Sequence, residues 1–215
     1  MPRATVDRRR PLTTDRPEAA LGLVAGPLAF VAAWAVGGAR TPGYSPIDQA
    51  ISRIAEVGAP EQATMTAGFV AYGGAVLVGS LALRRSPLAR CWPFAALNGA
   101  ATLAVAATPL ERSDAVDALH SVAAAAGYLS ITALPLVAAP ILADLGHRRA
   151  AAASVAVGAI AGAALVATNL TEANGLFQRI GLTVGDAWLA AVGAALWRAS
   201  RRAPSGRDRR ASASR

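Results

Sequence analysis

"GYSPIDQAISRIAEVGAP", residues 43–60, places charged and polar side chains between two of the most apolar stretches of the chain. Ala19–Ala39 precedes it and Thr64–Leu83 follows it. Each is long enough to cross the hydrocarbon core of a bilayer, for which about 20 apolar residues suffice. A polar segment so placed reads as a connection at a membrane surface, and that reading decides the fold. Four more apolar segments pass the same test: Cys91–Leu110, Leu119–Ala143, Ala150–Leu170 and Ile180–Trp197, none with an arginine in its interior. The expected fold is therefore all-α, a six-helix transmembrane bundle over residues 19–198. Composition agrees, with 54% hydrophobic and 16% charged residues in a 215-residue chain of mean hydropathy +0.40, too apolar for an ordinary soluble domain. Much of that apolar content is Ala and Gly, so close packing of the helices has to supplement weak insertion of each span.

Within the quoted stretch Ser45 suits an N-cap, Pro46 the first helical position and Asp48 the capping-box acid, while Gly58 and Pro60 signal a stop. Ile47, Ala50, Ile51, Ile54 and Val57 repeat at helical spacing, with Asp48, Ser52, Arg53 and Glu56 on the other side. The spacing predicts a short interfacial helix between spans one and two, either a plug or a lid over an outward-opening pocket.

The net charge of +8 is carried wholly by arginine. Only Arg40, Arg53, Arg112 and Arg179 fall on the side of the first, third and fifth connections; the rest lie before span one, in the second and fourth connections and after span six. By the positive-inside rule both termini are cytoplasmic. This distribution marks topology rather than a nucleic-acid-binding arm, with contact between anionic lipid and the basic tail as a secondary role. Residues 1–18 and 199–215 lack periodicity and are expected to be disordered. The N-terminal apolar run is too long for the core of a signal peptide and is expected to remain as an uncleaved span. Cys91, the lone cysteine, excludes an internal disulfide.

Three patches could carry chemistry. In "ERSDAVDALHS", Asp114, Asp117 and Ser121 share a helix side, and Asp117 stands three residues before His120, close enough to orient its ring. In "GLFQRIGLTVGDAWL", Arg179, Thr183 and Asp186 recur at i, i+4 and i+7. Asp186 lies about 10 Å along the axis from Arg179, within the membrane, where an ionisable group is costly and faces the bundle interior. Gly181 and Gly185 form a GxxxG step, as do Gly22/Gly26 and Gly158/Gly162. In "TNLTEANGLF", Thr168, Asn169, Glu172 and Asn174 border the outer end of span five. Asn98, inside span three, is expected to bond between helices. No P-loop, GxGxxG, HExxH or CxxC occurs, and His120 and His147 fall on opposite sides, so no metal or other cofactor is expected.

"GYSPIDQAISRIAEVGAP", "MTAGFVAYG", "DALHSVAAAAGYL" and "GLFQRIGLTVGDAWL" together resemble the bacterial membrane family known as domain of unknown function 998, most of all its actinobacterial members. The Ala- and Arg-rich, lysine-free composition suits a high-GC bacterial source. The resemblance covers roughly residues 20–198 and implies a six-span protein of the bacterial plasma membrane, without a catalytic residue to carry over. The residues themselves point to an outward-facing polar pocket lined by Asp186, Arg179, His120, Asp117, Arg53 and Glu56. It would bind or transport a small polar molecule or a lipid headgroup. Two alternatives stay open: a membrane-embedded lipid hydrolase using Asp117, His120 and Asp186, and a structural or assembly protein without a ligand. The bilayer is the expected partner, nucleic acid is not, and a homo-oligomer is compatible with the pattern.

Overall fold

The computed structural model describes residues 9–203. Among them all regular structure is helical: α1 (Pro17–Ala20), α2 (Gly22–Arg40), α3 (Gln62–Arg84), α4 (Trp92–Ala107), α5 (Asp114–Asp144), α6 (Arg148–Ala167) and α7 (Asn174–Arg202), with 3₁₀ turns at Ile51–Ala55 and Ala89–Cys91. Five helices are long and apolar enough to cross a membrane: α1 continued by α2, then α3, α5, α6 and α7. The chain is thus an integral membrane protein by the length and composition of its helices. The segment expected to form the third span, Cys91–Leu110, is α-helical over 16 residues only, about 24 Å at 1.5 Å per residue. It ends at Thr108, ahead of Pro109, because the residue before a proline is driven out of the helical region.

The six long helices form a ring in chain order, α2 through α7, and α7 packs back onto α2 to close it. Leu23, Met65, Val76, Leu134, Leu189 and Leu196 fill its interior and are fully buried. Leu28, Val122, Leu129 and Val166 point outward, with 60–72% of their surface exposed, an apolar periphery suited to acyl chains. Small residues let the helix backbones approach. A Cβ on Gly73 would stand 2.7 Å from the Gly99 carbonyl oxygen, and one on Gly99 equally close to the Gly73 carbonyl, so the α3–α4 crossing tolerates neither. Each GxxxG step also faces a neighbour: Gly22 and Gly26 meet α3, Gly158 and Gly162 meet α5, and Gly181 meets α6.

At the arginine-rich end the described part of the N-terminal segment is ordered, unlike the disorder expected of residues 1–18. The Arg10 N–H donates to the Leu145 carbonyl at 3.0 Å, and the Thr14 hydroxyl, buried, donates to the Ala82 carbonyl at 3.0 Å. The Thr14 N–H reaches the Ser200 hydroxyl at 2.9 Å, which brings the two ends of the bundle together. Helix α7 continues past the expected end of the last span to Arg202. The remaining basic residues of both tails lie outside the described residues.

The opposite end carries the cap, residues 44–57. Here the expected single helix is corrected: Ser45–Gln49 form a turn, Ala50 is extended (φ −61°, ψ 150°), and only Ile51–Ala55 are helical, as a 3₁₀ turn. Ser45 does bond Asp48, its hydroxyl donating to the carboxylate at 2.6 Å, so the local signal was real. Tertiary bonds override its continuation. The carbonyls that an α-helix would use internally are taken by α7: Ile47 accepts from the Leu176 N–H at 2.9 Å, and Pro46 and Gln49 accept from Arg179 at 2.8 and 3.0 Å. Ile51 and Ile54 are buried, whereas Ile47 and Val57 stand about half exposed. The segment therefore dips into the mouth of the ring instead of lying flat on it.

Candidate functional site

A cavity of about 50 Å³ lies inside the ring, beneath the cap. Phe30 of α2, Phe69 and Tyr72 of α3, Asn98 and Thr102 of α4, Gly127 and Tyr128 of α5, and Gln178, Leu182 and Asp186 of α7 line it, together with Ile51 and Ser52 of the cap. Helix α6 contributes nothing. The walls are mostly apolar, with the polar atoms confined to a few positions, as in small-molecule sites. Several times the volume of one water probe is available.

Asp186 is 2% exposed. Its Oδ1 lies 2.8 Å from the Tyr72 hydroxyl, which also lies 2.8 Å from Asn98 Oδ1. Asn98 is oriented by its amide N–H₂, which donates to the Gly127 carbonyl at 3.0 Å and the Ser130 hydroxyl at 3.2 Å, the interhelical role expected of it. With Asp186 ionised, Tyr72 has one proton and two acceptor neighbours, and Asp186 Oδ2 is buried with no hydrogen-bond partner among the described residues. The network is then short of donors. Arg53, Arg112 and Arg179 make no ion pair with Asp186. About two turns away on the same face of α7, Gln178 accepts from the Ile51 N–H at 2.7 Å and donates to the Tyr128 hydroxyl. Gln178 fills an acceptor site on that hydroxyl, whose own proton has no acceptor among the described residues. Two residues of the cavity lining therefore keep unused hydrogen-bonding capacity, an acceptor on Asp186 and a donor on Tyr128.

Arg179 is buried but faces away from this cavity. It donates to the carbonyls of Pro46, Gln49 and Gly175 and to the Tyr44 hydroxyl, and its guanidinium stacks 5.2 Å from the Trp34 ring and 5.5 Å from that of Tyr44. Its role is to latch the cap onto α2 and α7. Gly175 permits the latch, since a Cβ there would collide with the Gln49 carbonyl. Burial lifts the Tyr44 phenol above its ordinary range, while the charge and hydrogen bond of Arg179 pull it the other way. Thr183, expected on the face shared by Arg179 and Asp186, is exposed. The buried face of α7 runs through Gln178, Leu182, Asp186 and Leu189 instead, so only one edge of the expected stripe points inward.

The connection between α4 and α5 holds the other side of the cap. Arg53 bonds Glu111 at 2.6 Å and Glu56 at 3.0 Å, and these contacts, Glu111 first, raise its already high pKa; all three side chains are substantially exposed. Asp117 accepts from the Glu111 backbone N–H at 3.1 Å, stabilising a residue at φ 65°. It does not bond His120, so the expected dyad is absent. His120 is buried and turns instead to the cap: Nδ1 lies 2.7 Å from the Thr108 carbonyl and Nε2 lies 2.9 Å from the Ser52 hydroxyl. Of the six candidate residues, only Asp186 lines the cavity directly. His120 reaches it through Ser52, Arg179 holds the cap, and Asp117, Arg53 and Glu56 belong to the surface that fastens the cap. Tyr72, Ser52, Gln178 and Tyr128 line it without having been singled out; a tyrosine hydroxyl in mid-span, in "MTAGFVAYG", is the signal that could have found one of them. Among the described residues no group of three His, Cys, Asp or Glu side chains could hold a metal ion.

The family described as "Protein of unknown function (DUF998)" matches residues 24–195, nearly the whole ring of helices. No curated protein matches the chain, and neither does any solved structure. The chain belongs to the DUF998 family.

Proposed function

We propose that this DUF998 protein is a six-span protein of the bacterial plasma membrane, with both termini in the cytoplasm, that binds a small polar molecule or lipid headgroup beneath its cap. The sixth span in this reading is α4. The 3₁₀ turn Ala89–Cys91 directly precedes it and adds about 6 Å to its 24 Å, which reaches the roughly 30 Å of a bilayer core. The arginines gather at the end of the ring opposite the cap, so the positive-inside rule puts the cap outside.

One observation carries the binding reading: Asp186, a residue of the cavity lining, keeps a buried Oδ2 that has no donor among the described residues. An unmet buried acceptor costs about 1–3 kcal/mol, and a carboxylate more, so a ligand bearing an N–H or O–H group would gain by supplying the missing bond. An ammonium ion, ethanolamine and a phosphatidylethanolamine headgroup share that chemistry. A protein that only bridges other membrane components has no use for an unfilled donor and acceptor around an internal cavity.

The test is thermal unfolding of the purified protein in detergent micelles. Ammonium chloride and ethanolamine are added free, and phosphatidylethanolamine or phosphatidylglycerol is added to the micelle. At about 100 times Kd a bound ligand stabilises by roughly 2.7 kcal/mol. A shift with free ethanolamine identifies a soluble ligand; a shift with phosphatidylethanolamine alone identifies a lipid. Asp186→Asn should abolish either. No shift with any of these probes, or an equal shift in the variant, would overturn the reading.

A further inference from the structure

The Ser52–His120 contact has a direction. A carbonyl oxygen only accepts hydrogen bonds, so the 2.7 Å contact with Thr108 places a proton on His120 Nδ1. In the neutral ring Nε2 is then an acceptor, and the Ser52 hydroxyl donates to it at 2.9 Å. That is the arrangement of an activated nucleophile: hydroxyl to imidazole, with a third group fixing the tautomer. Both side chains are buried, at 9% and 6% exposure, and Ser52 lines the cavity. A serine–histidine bond that only tied the cap to α5 could sit anywhere along the cap edge. This one sits on the cavity wall, with the unfilled groups of Asp186 and Tyr128.

We propose that Ser52 is a nucleophile and His120 its general base, and that the protein cleaves a carboxylic ester of a membrane lipid whose polar part enters the cavity. The proposal rests on the same cavity being open to a ligand. Ser52 Oγ attacks the ester carbonyl carbon while its proton passes to His120 Nε2. The bond from that carbon to the alcohol oxygen breaks, and the leaving oxygen takes the proton from Nε2, giving an acyl-serine. A water molecule attacks the acyl carbon and gives its proton to Nε2; the carboxylic acid departs and the proton returns to Ser52. No oxidant, reductant or metal enters the balance. The Tyr128 hydroxyl is the cavity's unspent donor for substrate oxygen. A cavity of about 50 Å³ holds the ester group and not the acyl chain. The wall made by Thr102, Ala123, Ala124, Gly127 and Leu182 is only partly buried, so the chain would leave sideways between helices into the bilayer.

The experiment uses the full chain in micelles containing phosphatidylethanolamine, treated with a fluorophosphonate probe. Here Ser52 Oγ bonds to phosphorus, fluoride leaves, and His120 accepts the proton. Peptide mapping should find the label on Ser52. It should be absent in Ser52→Ala and at least tenfold slower in His120→Gln, both confirmed as folded by gel filtration, and wild type should release fatty acid from the lipid. Wild-type protein that stays unlabelled at Ser52, or labelling indifferent to His120, would overturn the proposal. A headgroup-dependent thermal shift without labelling would sink the ester chemistry and leave the binding site standing. Labelling of Ser52 without any headgroup-dependent shift would remove the headgroup reading and leave a cavity open to the ester.

Discussion

The donor count around Tyr72 is the most consequential feature at the scale of single residues. Tyr72→Phe leaves Asn98 Oδ1 and Asp186 Oδ1 both unserved, and should cost about 1–3 kcal/mol, read as an earlier midpoint when the protein in micelles is titrated with a denaturing detergent. Asp186→Asn should behave oppositely in the absence of ligand. It keeps an acceptor for Tyr72, and it replaces an unpartnered carboxylate oxygen with a neutral group, so the midpoint should hold or rise even as ligand response disappears. Asp186 was legible in the chain because an acid deep in an apolar run has few explanations. Its neighbours were not. The three-residue spacing of Asp117 and His120 suggested a pair, yet each side chain took a backbone partner in the α4–α5 connection. The partner that His120 did find lies 68 positions away, beyond what periodicity can report.

Among elements, the cap is where local signals and tertiary contacts disagree. An N-cap, a proline and an amphipathic repeat all favoured one α-helix, and Arg179, Leu176 and Gln178 of α7 claimed the backbone groups that such a helix needs. The spans themselves were readable because long runs of Ala, Leu and Val admit no other structure in lipid. Arg179→Gln should loosen the cap without unfolding the ring: hydrogen exchange at the Leu176 and Ile51 amides should quicken by about 100-fold or more while amides in mid-α3 keep their protection. If those mid-helix amides quicken equally, Arg179 is supporting the whole bundle instead. A second element-level expectation concerns the α3–α4 crossing. Gly99→Val drives a branched side chain against the Gly73 carbonyl and should cost several kcal/mol, measurable as loss of the monodisperse gel-filtration peak.

At the scale of the whole molecule, the arrangement in the bilayer can be tested with single cysteines in a Cys91→Ala background. Pro87→Cys and Ala115→Cys flank α4. With a membrane-impermeant maleimide on intact cells, Ala115→Cys should label and Pro87→Cys should not; labelling of both, or of neither, would remove α4 from the set of spans. The closure of α7 onto α2 has one more outcome. Because Thr14 touches Ser200 and Arg201 stands 3.7 Å from Glu18, the chain runs in a near-complete circle, and its starting point is a matter of convenience. A gene rearranged to begin at His147 and finish at Gly146, with a short peptide tethering the former ends, should thread the same number of rods through the lipid in the same senses. It should also rebuild the hollow at the centre. Circular permutation would thus report whether this protein depends on the order of its synthesis or only on the order of its neighbours.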